Sequence, residues 1–354
     1  MRFHRALSRS LPGPGRLQTR LTERLGARVP VVLSPMSDCA GGELAAAVSA
    51  AGGIGLVGSG GQSLAHLCEQ WALAASYPHV EMERLGVGLN VPMLHTSPPG
   101  TLEDLLSKLR PRHVLLSFGD DIRPHAAAIL SHGATLYASA GDCEGALAHA
   151  GAGATCIVVQ GSDARGHTYK EASAFSLVPQ VRDALDRAGH AETLVLASGG
   201  VSDGRGLAAA LVLGADAALV GTRLAATNES LLSEKQKGAL VSVRCGARGT
   251  TLGRFIDELN GADRSELPGR CIANQSTQME IPWRLAWGGS GHGGGNQRMK
   301  LRIRHTEGIK QAGGDGLEWG TTWAGASVGL VRQVQPAADV LREMAAQAAA
   351  AFAT

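Results

Sequence analysis

Short β-branched runs alternate with Ala- and Leu-rich stretches along the first two thirds of the chain. The pattern predicts strands at Val29 to Leu33, Ile54 to Val57, Leu85 to Leu89, His113 to Ser117 and Thr135 to Ser139. It continues with Cys156 to Val159, Thr193 to Ala197 and Ala217 to Val220. Gly42 to Ala51 and Leu64 to Ala75 read as helices set between the first of these strands. A strand followed by a helix returns parallel to its predecessor, because only a crossover brings the chain back in that direction. Eight such units by residue 220 predict an α/β fold of the (β/α)8 TIM barrel type. A doubly wound open sheet has the same period, which by itself does not show closure.

After Thr222 the pattern changes. Leu231 to Val243 and Arg254 to Leu259 read as helical, and 261 to 320 as irregular. Within that stretch Gly288 to Gly295 has the composition of a flexible linker and precedes a basic run from Arg298 to His305. A smaller, mostly helical subdomain is expected here. Pro336 then opens an Ala-rich helix with Val340, Leu341, Met344, Ala345, Ala348 and Phe352 on one face, a pattern that docks on a core. The predicted organisation is an N-terminal extension over 1–16, a barrel over 17–224, an inserted subdomain over 225–320 and a return to the barrel over 321–354.

Composition narrows the function. Of 354 residues, 44% are hydrophobic and 18% charged, which excludes disorder as the main state. Gly, at 48 residues, is about twice its usual ~7%, so many tight turns or close backbone approaches are needed. The formal charge of +2 is unevenly placed: the first 20 residues hold five arginines and no acid, leaving a net −3 for the rest. A near-neutral body with 4% aromatic residues offers neither a footprint for a phosphate backbone nor a base-stacking platform, so no nucleic-acid partner is expected. The longest nearly uncharged run, Gly206 to Gly221, contains Asp216 and falls short of the ~20 apolar residues of a membrane span. Cysteines at 39, 68, 143, 156, 245 and 271 form no C-x-x-C pair, which argues for buried or half-buried free thiols rather than a disulfide framework or zinc site. A cytoplasmic location is expected. The Arg-rich start also fits an organellar matrix, although Leu11 to Gly15, with two prolines, interrupts any amphipathic targeting helix.

Three features carry candidate chemistry. In a barrel, phosphate groups bind after strands seven and eight, and here those loops read Ser198-Gly199-Gly200 and Gly221-Thr222. Glycines admit an anion to backbone N–H groups, and a helix opening near Asp203 turns its positive end toward it; tight βα turns would use the same residues. Gly53-Ile-Gly55-Leu-Val-Gly58 matches G-x-G-x-x-G, but its glycines lie within a strand rather than after one, so it reads as structural. The third feature is Gln160 to His167, at the exit of strand six. A histidine there projects over the barrel mouth, and imidazole is the side chain best placed to take a proton near neutral pH. His66, His125 and His149 lie in helical stretches and His113 opens a strand, so they read as structural or surface residues.

At these residues the chain resembles the nitronate monooxygenase family, FMN-dependent (β/α)8 barrels. The resemblance runs from about Leu17 to Met344. It is carried by Leu21 to Leu25, Pro30 to Met36, Glu43 to Gly53, Gly86 to Asn90, Gln160 to His167, Ala197 to Arg205, Gly221 to Arg223 and Trp323 to Ser327, in that order. It implies that Pro35 and Met36 line the flavin ring, that Asn90 hydrogen-bonds its pyrimidine edge and that Gln160 faces it. Gly199, Gly200, Gly221 and Thr222 would cradle the phosphate and Ser327 would close the site. His167 matches the family's catalytic base, which takes a proton from the carbon beside a nitro group. The implied reaction oxidises alkyl nitronates or nitroalkanes with O2 to carbonyl compounds and nitrite.

The sequence departs from the family at Arg165, where glycine is usual, at Thr168, and in the Gly288 to Gly295 tract. Arg165 would either recognise a second anionic group on the substrate, pair with Asp163, or point into solvent. Other readings remain: an FMN-dependent NAD(P)H oxidoreductase of the enoyl-acyl-carrier-protein or quinone reductase type, a flavin-free phosphate-binding lyase or isomerase, and a non-catalytic ligand-binding barrel.

Overall fold

The computed structural model describes residues 17–59, 63–169, 172–254, 267–278, 307 and 320–353. Its strands, in chain order, are β1 Val31–Leu33, β2 Gly55–Gly58, β3 Leu85–Asn90, β4 His113–Ser117, β5 Thr135–Ala140 and β6 Cys156–Gln160. There follow β7 Gly166–His167, β8 Leu194–Ser198, β9 Ala217–Val220, β10 Thr250–Gly253 and β11 Gly269–Ile272. Eight of them, β1 to β6 with β8 and β9, form one parallel sheet in the order β1-β9-β8-β6-β5-β4-β3-β2. Val32 bridges Ile54 between its two ends, where Leu33 N–H donates to Ile54 O and Ile54 N–H to Val31 O. That closes the ring, and the fold is the (β/α)8 barrel rather than the open sheet.

Alternation along the strands separates two buried sets. Val32, Ile54, Leu56, Leu115, Tyr137, Val158, Leu196 and Leu219 cluster in the lumen. Their strand neighbours, such as Val31, Leu33, Val114 and Leu116, pack with the surrounding helices. The lumen holds one polar relay. Tyr137 Oη donates to His113 Nδ1 at 3.1 Å, and His113 Nε2 lies 3.0 Å from Glu83 O. This arrangement suits a neutral imidazole protonated on Nε2, and burial holds the His113 pKa at about 4.

The helix Arg20–Leu25 stoppers the N-terminal end of the barrel, with a Thr19–Thr22 capping box and Leu21 in the lumen cluster. Arg20 clasps Asp216 through Nε and Nη2, both at 2.7 Å, just before β9. At the other end of the chain, the helix Ala337–Ala353 packs on Gly204–Val212 and buries Val340, Leu341, Met344 and Ala348, the face expected of it. The glycines Gly55 and Gly58 lie in β2, as their position within a strand required: a Cβ on Gly55 would stand 1.9 Å from Ala45 O.

Beyond the barrel, Glu234–Ser242 is helical as expected. The described part of the 225–320 region also contains strands that the sequence pattern did not predict. β10 pairs antiparallel with β11, and β11 pairs antiparallel with β7. Four residues are too few to show a period of two, and their partners are distant in sequence. Arg254 is not helical, while 255–259, the Gly288 to Gly295 tract, the basic run from Arg298 to His305 and the extension 1–16 lie outside the described residues. All six cysteines are free; Cys245 is exposed, against the expectation of burial. Among the described residues no helix is long and apolar enough to cross a membrane, and no cluster of side chains is suited to a metal ion.

Candidate active site

The C-terminal ends of the barrel strands carry the predicted residues except His167 and Ser327, which lie in the outer sheet and the return segment. Leaving β1, the chain turns at Ser34-Pro35-Met36 and folds inward over β2 and β3. A Cβ on Gly88 would lie 2.1 Å from the Pro35 ring, so only glycine in β3 allows that approach. Asn90 ends β3 and Gln160 ends β6. Gln160 Nε2 donates to His167 O at 3.2 Å. Asn90 Oδ1 and Gln160 Oε1 are both buried and, among the described residues, have no hydrogen-bond donor. Two orphaned carbonyl oxygens at one mouth call for N–H groups from a bound molecule.

Beside Gln160, which is in register with Ser198 on the neighbouring strand, lies the glycine cradle. Gly199 and Gly200 have φ of 115° and 76°, left-handed values that leave little room for a side chain. A Cβ on Gly199 would also meet Asp163 Oδ1 at 2.3 Å. Gln160, Gly199, Gly200, Gly221, Thr222 and Ser327 line one cleft. The return segment closes it: Gly325 N–H donates to Thr222 Oγ1 at 2.9 Å, Ala326 N–H to Asp163 O at 2.9 Å, and Ser327 Oγ shares a hydrogen bond with Ser202 Oγ at 2.7 Å. Asp163 adds a carboxylate beside the cradle, which is occupied with the next helix, accepting from Ser173 Oγ and Ala174 N–H. Pro35, Met36 and Asn90 do not share this cleft; they lie on the β1 to β3 side of the mouth.

His167 occupies β7, so its main chain belongs to the outer three-stranded sheet while its half-buried ring turns to an aromatic wall. Its centroid is 5.4 Å from that of Trp323 and 6.5 Å from that of Phe118. Tyr169 extends the wall, 6.1 Å from Phe118. Phe118 has φ of 61°, an unusual value for a bulky residue, and its N–H donates to Ser139 Oγ. Sequence reasoning missed Phe118 and Tyr169, and took Trp323 only as part of a motif. The available signal was the scarcity of aromatic residues, which makes several at one strand-exit rim informative.

Arg165 behaves differently from each alternative raised for it. It neither pairs with Asp163 nor points into solvent, and its guanidinium is closed to a second anion. Asp38 holds it with both carboxylate oxygens, Trp323 O accepts from Nε at 3.2 Å, and Met36 Sδ and Cys39 Sγ lie 2.6 and 2.9 Å from Nη1. Burial works against its charge, but Asp38 and Cys39 outweigh that and raise its pKa above the ordinary value. Burial pushes the Cys39 thiol up to about 12, so it stays protonated. The arginine ties the β1 exit, the β6 exit and the return segment together.

A flavin mononucleotide fits what these residues lack. Its phosphate suits the glycine cradle, and the N–H of its pyrimidine edge suits the orphaned oxygens. Residues 94–347 match the family described as nitronate monooxygenase. A Neurospora crassa protein named nitronate monooxygenase is 32% identical over 351 aligned residues, covering 90% of this chain and 89% of that protein. FabK from Thermotoga maritima has a similar structure, with a TM-score of 0.74 at 23% identity over 95% of this chain and 98% of that one. Nitroalkane oxidase from Streptomyces ansochromogenes gives a TM-score of 0.73 at 23% identity, covering 95% of this chain and 99% of that one. At such identities the two structures speak for the fold alone.

Proposed function

We propose, for a chain that belongs to the nitronate monooxygenase family and is thereby an oxidoreductase, that it oxidises alkyl nitronates or nitroalkanes with O2 to a carbonyl compound and nitrite. FMN is the proposed cofactor and His167 the proposed base. The observation that carries this reading is Gln160, whose Nε2 holds the His167 main chain while its Oε1, among the described residues, stands buried and unpaired in the cleft. One side chain thus links the candidate base to the candidate cofactor site.

When bound, FMN supplies the electron transfer and the reactivity toward O2. Gly199, Gly200, Gly221 and Thr222 would hold its phosphate with main-chain N–H groups, and Ser327 would shut that end. Pro35 and Met36 would border the ring, Asn90 would accept from its pyrimidine edge and Gln160 would face it. His167 would take the proton from the carbon bearing the nitro group. A nitronate arrives already deprotonated and needs only to be positioned. Phe118 and Trp323 would fix the His167 ring and exclude water from the reacting carbon. In the proposed division of the chain, 17–224 carries the cofactor, 225–320 backs the base and 321–354 closes the phosphate end.

An absorbance spectrum of the purified protein, followed by nitrite release from a panel of nitroalkanes and nitronates, tests this. The expected result is a yellow protein that forms nitrite. A flavin bleached by NAD(P)H, with no nitrite from any nitro compound, would replace it with the reductase reading, and a colourless protein would overturn the flavin.

A further inference from the structure

A second cavity, of about 240 Å3, lies behind the phosphate cradle, between the start of the helix Gly204–Val212, the helix Ala337–Ala353 and the segment 330–335. Ser202 lines it, and the Ser202–Ser327 hydrogen bond is the partition between it and the cradle. Its charged lining is Arg205, Arg223 and Arg332 against Asp203 and Glu343.

These charges do not cancel in place. Arg205 is taken by Asp203, whose other oxygen caps Gly206 N–H. Glu343 accepts from Gln335 Nε2 at 3.0 Å. Arg223 is 6% exposed, and among the described residues it bonds only the carbonyls of Ala226 and Gln333, both from Nη1 at 3.4 and 3.2 Å. It forms no ion pair there, and its Nε and Nη2 make no bond. Arg332, at the exposed lip of the cavity, likewise has no hydrogen-bond or ion-pair partner among the described residues. A guanidinium does not escape burial by losing its proton, so a buried one without a counter-charge carries a heavy desolvation cost. Burial lowers the Arg223 pKa, and Glu343, which lines the same cavity without pairing with Arg223, only partly offsets that.

We propose that this cavity binds a small phosphate-bearing anion, with Arg223 as its buried counter-charge and Arg332 as its outer one. Two guanidinium forks converging on one space match the oxygens of a phosphate, which each can grip in bidentate fashion. The volume exceeds what a phosphate group alone would fill, so the space takes a phosphate monoester as readily as the free ion. The site is separate from the cofactor cradle and does not depend on the proposed reaction.

Calorimetric titration of the flavin-loaded protein with inorganic phosphate and with glycerol 3-phosphate, in phosphate-free buffer, tests it. One saturable site is expected for both probes; tighter binding of the ester identifies an organic phosphate, and equal binding identifies the free ion. Arg332→Ala, at an exposed position, should keep the fold and weaken binding about tenfold or more, the loss expected for one charge-assisted contact. Arg223→Met should abolish the increase in melting temperature that phosphate gives the parent. Absence of a saturable site, or a site that Arg332→Ala leaves unchanged, would overturn the proposal even if Arg223→Met failed to fold.

Discussion

Asp38 grips the Arg165 guanidinium with both carboxylate oxygens, at 2.9 and 3.3 Å, across 127 residues of chain. The two ends of this pair are unequal: the Arg165 side chain is 4% exposed and that of Asp38 is 36%. Removing Asp38 strands a buried cation, whereas removing Arg165 returns an anion to water. Asp38→Asn should therefore cost about 2 to 4 kcal/mol, toward the low end of what breaking a fully buried pair costs. Arg165→Met, which sets an apolar chain beside Met36 and Cys39, should cost less. Chemical denaturation of both variants gives the order, and the reverse order would mean that Arg165 matters for more than its charge.

The same pair bears on specificity. With its donors already engaged, Arg165 adds nothing to the recognition of a second anionic group. The ratio of kcat/KM for 3-nitropropionate to that for nitroethane should be the same, within about twofold, in wild type and Arg165→Met, since a lost charge-assisted bond would change it about tenfold or more. A selective loss for the nitro acid would restore the substrate role that the sequence suggested.

His167→Asn should retain flavin and lose turnover of neutral nitroalkanes by about 10²- to 10⁴-fold, the usual contribution of a positioned base. Nitronate turnover should survive in part, because that substrate has no such proton to give. Steady-state kinetics with both forms decide the matter: equal losses would make His167 an orienting residue.

Flavin released on denaturation should be FMN, as one short cradle offers no second turn for an adenosine half. Gly199→Ala should reduce FMN affinity by about tenfold or more, because a side chain at φ of 115° is strained and its Cβ would collide with Asp163. Riboflavin binding should change far less. Fluorescence titration with the two flavins separates the phosphate end from the ring, and parallel losses would assign the effect to misfolding.

Stability should fall in mild acid because of His113. Its pKa drops from 6.5 to about 4 through burial. Below about pH 6.5 the unfolded chain takes up a proton that the folded chain refuses, so stability is full above that pH and is lost down to about pH 4. The loss amounts to roughly 3 kcal/mol at 1.36 kcal/mol per unit. His113→Gln should remove that part of the slope. Urea unfolding of both proteins at pH 7 and pH 5 measures the difference.

All eight barrel strands were legible because each carries several apolar residues in a row with helical stretches between them, and βα units admit few topologies. The glycine cradle and Gln160 to His167 were legible as well, since strand exits are where a barrel exposes main chain. What was not legible depends on partners far away in sequence. Asp38 and Arg165 look like ordinary surface charges until β1 and β6 are brought together in the ring. Phe118 gives no sign in the sequence of its left-handed backbone, and β11 is a four-residue run whose meaning comes from pairing with β7.

Because β7 pairs with β11, His167 is backed by main chain that leaves the ribosome about 100 residues after it does. The eight barrel strands are complete by Val220, and the lumen can be packed while Gly269–Ile272 and Trp323 are still unmade. A nascent chain forms its N-terminal parts first, so the ring of strands can close before His167 is backed by β11 and before Ser327 can reach the cradle. The rim around His167 is thus assembled after the barrel strands, and a chain stopped before Gly269 would hold those strands without the pairing that backs His167.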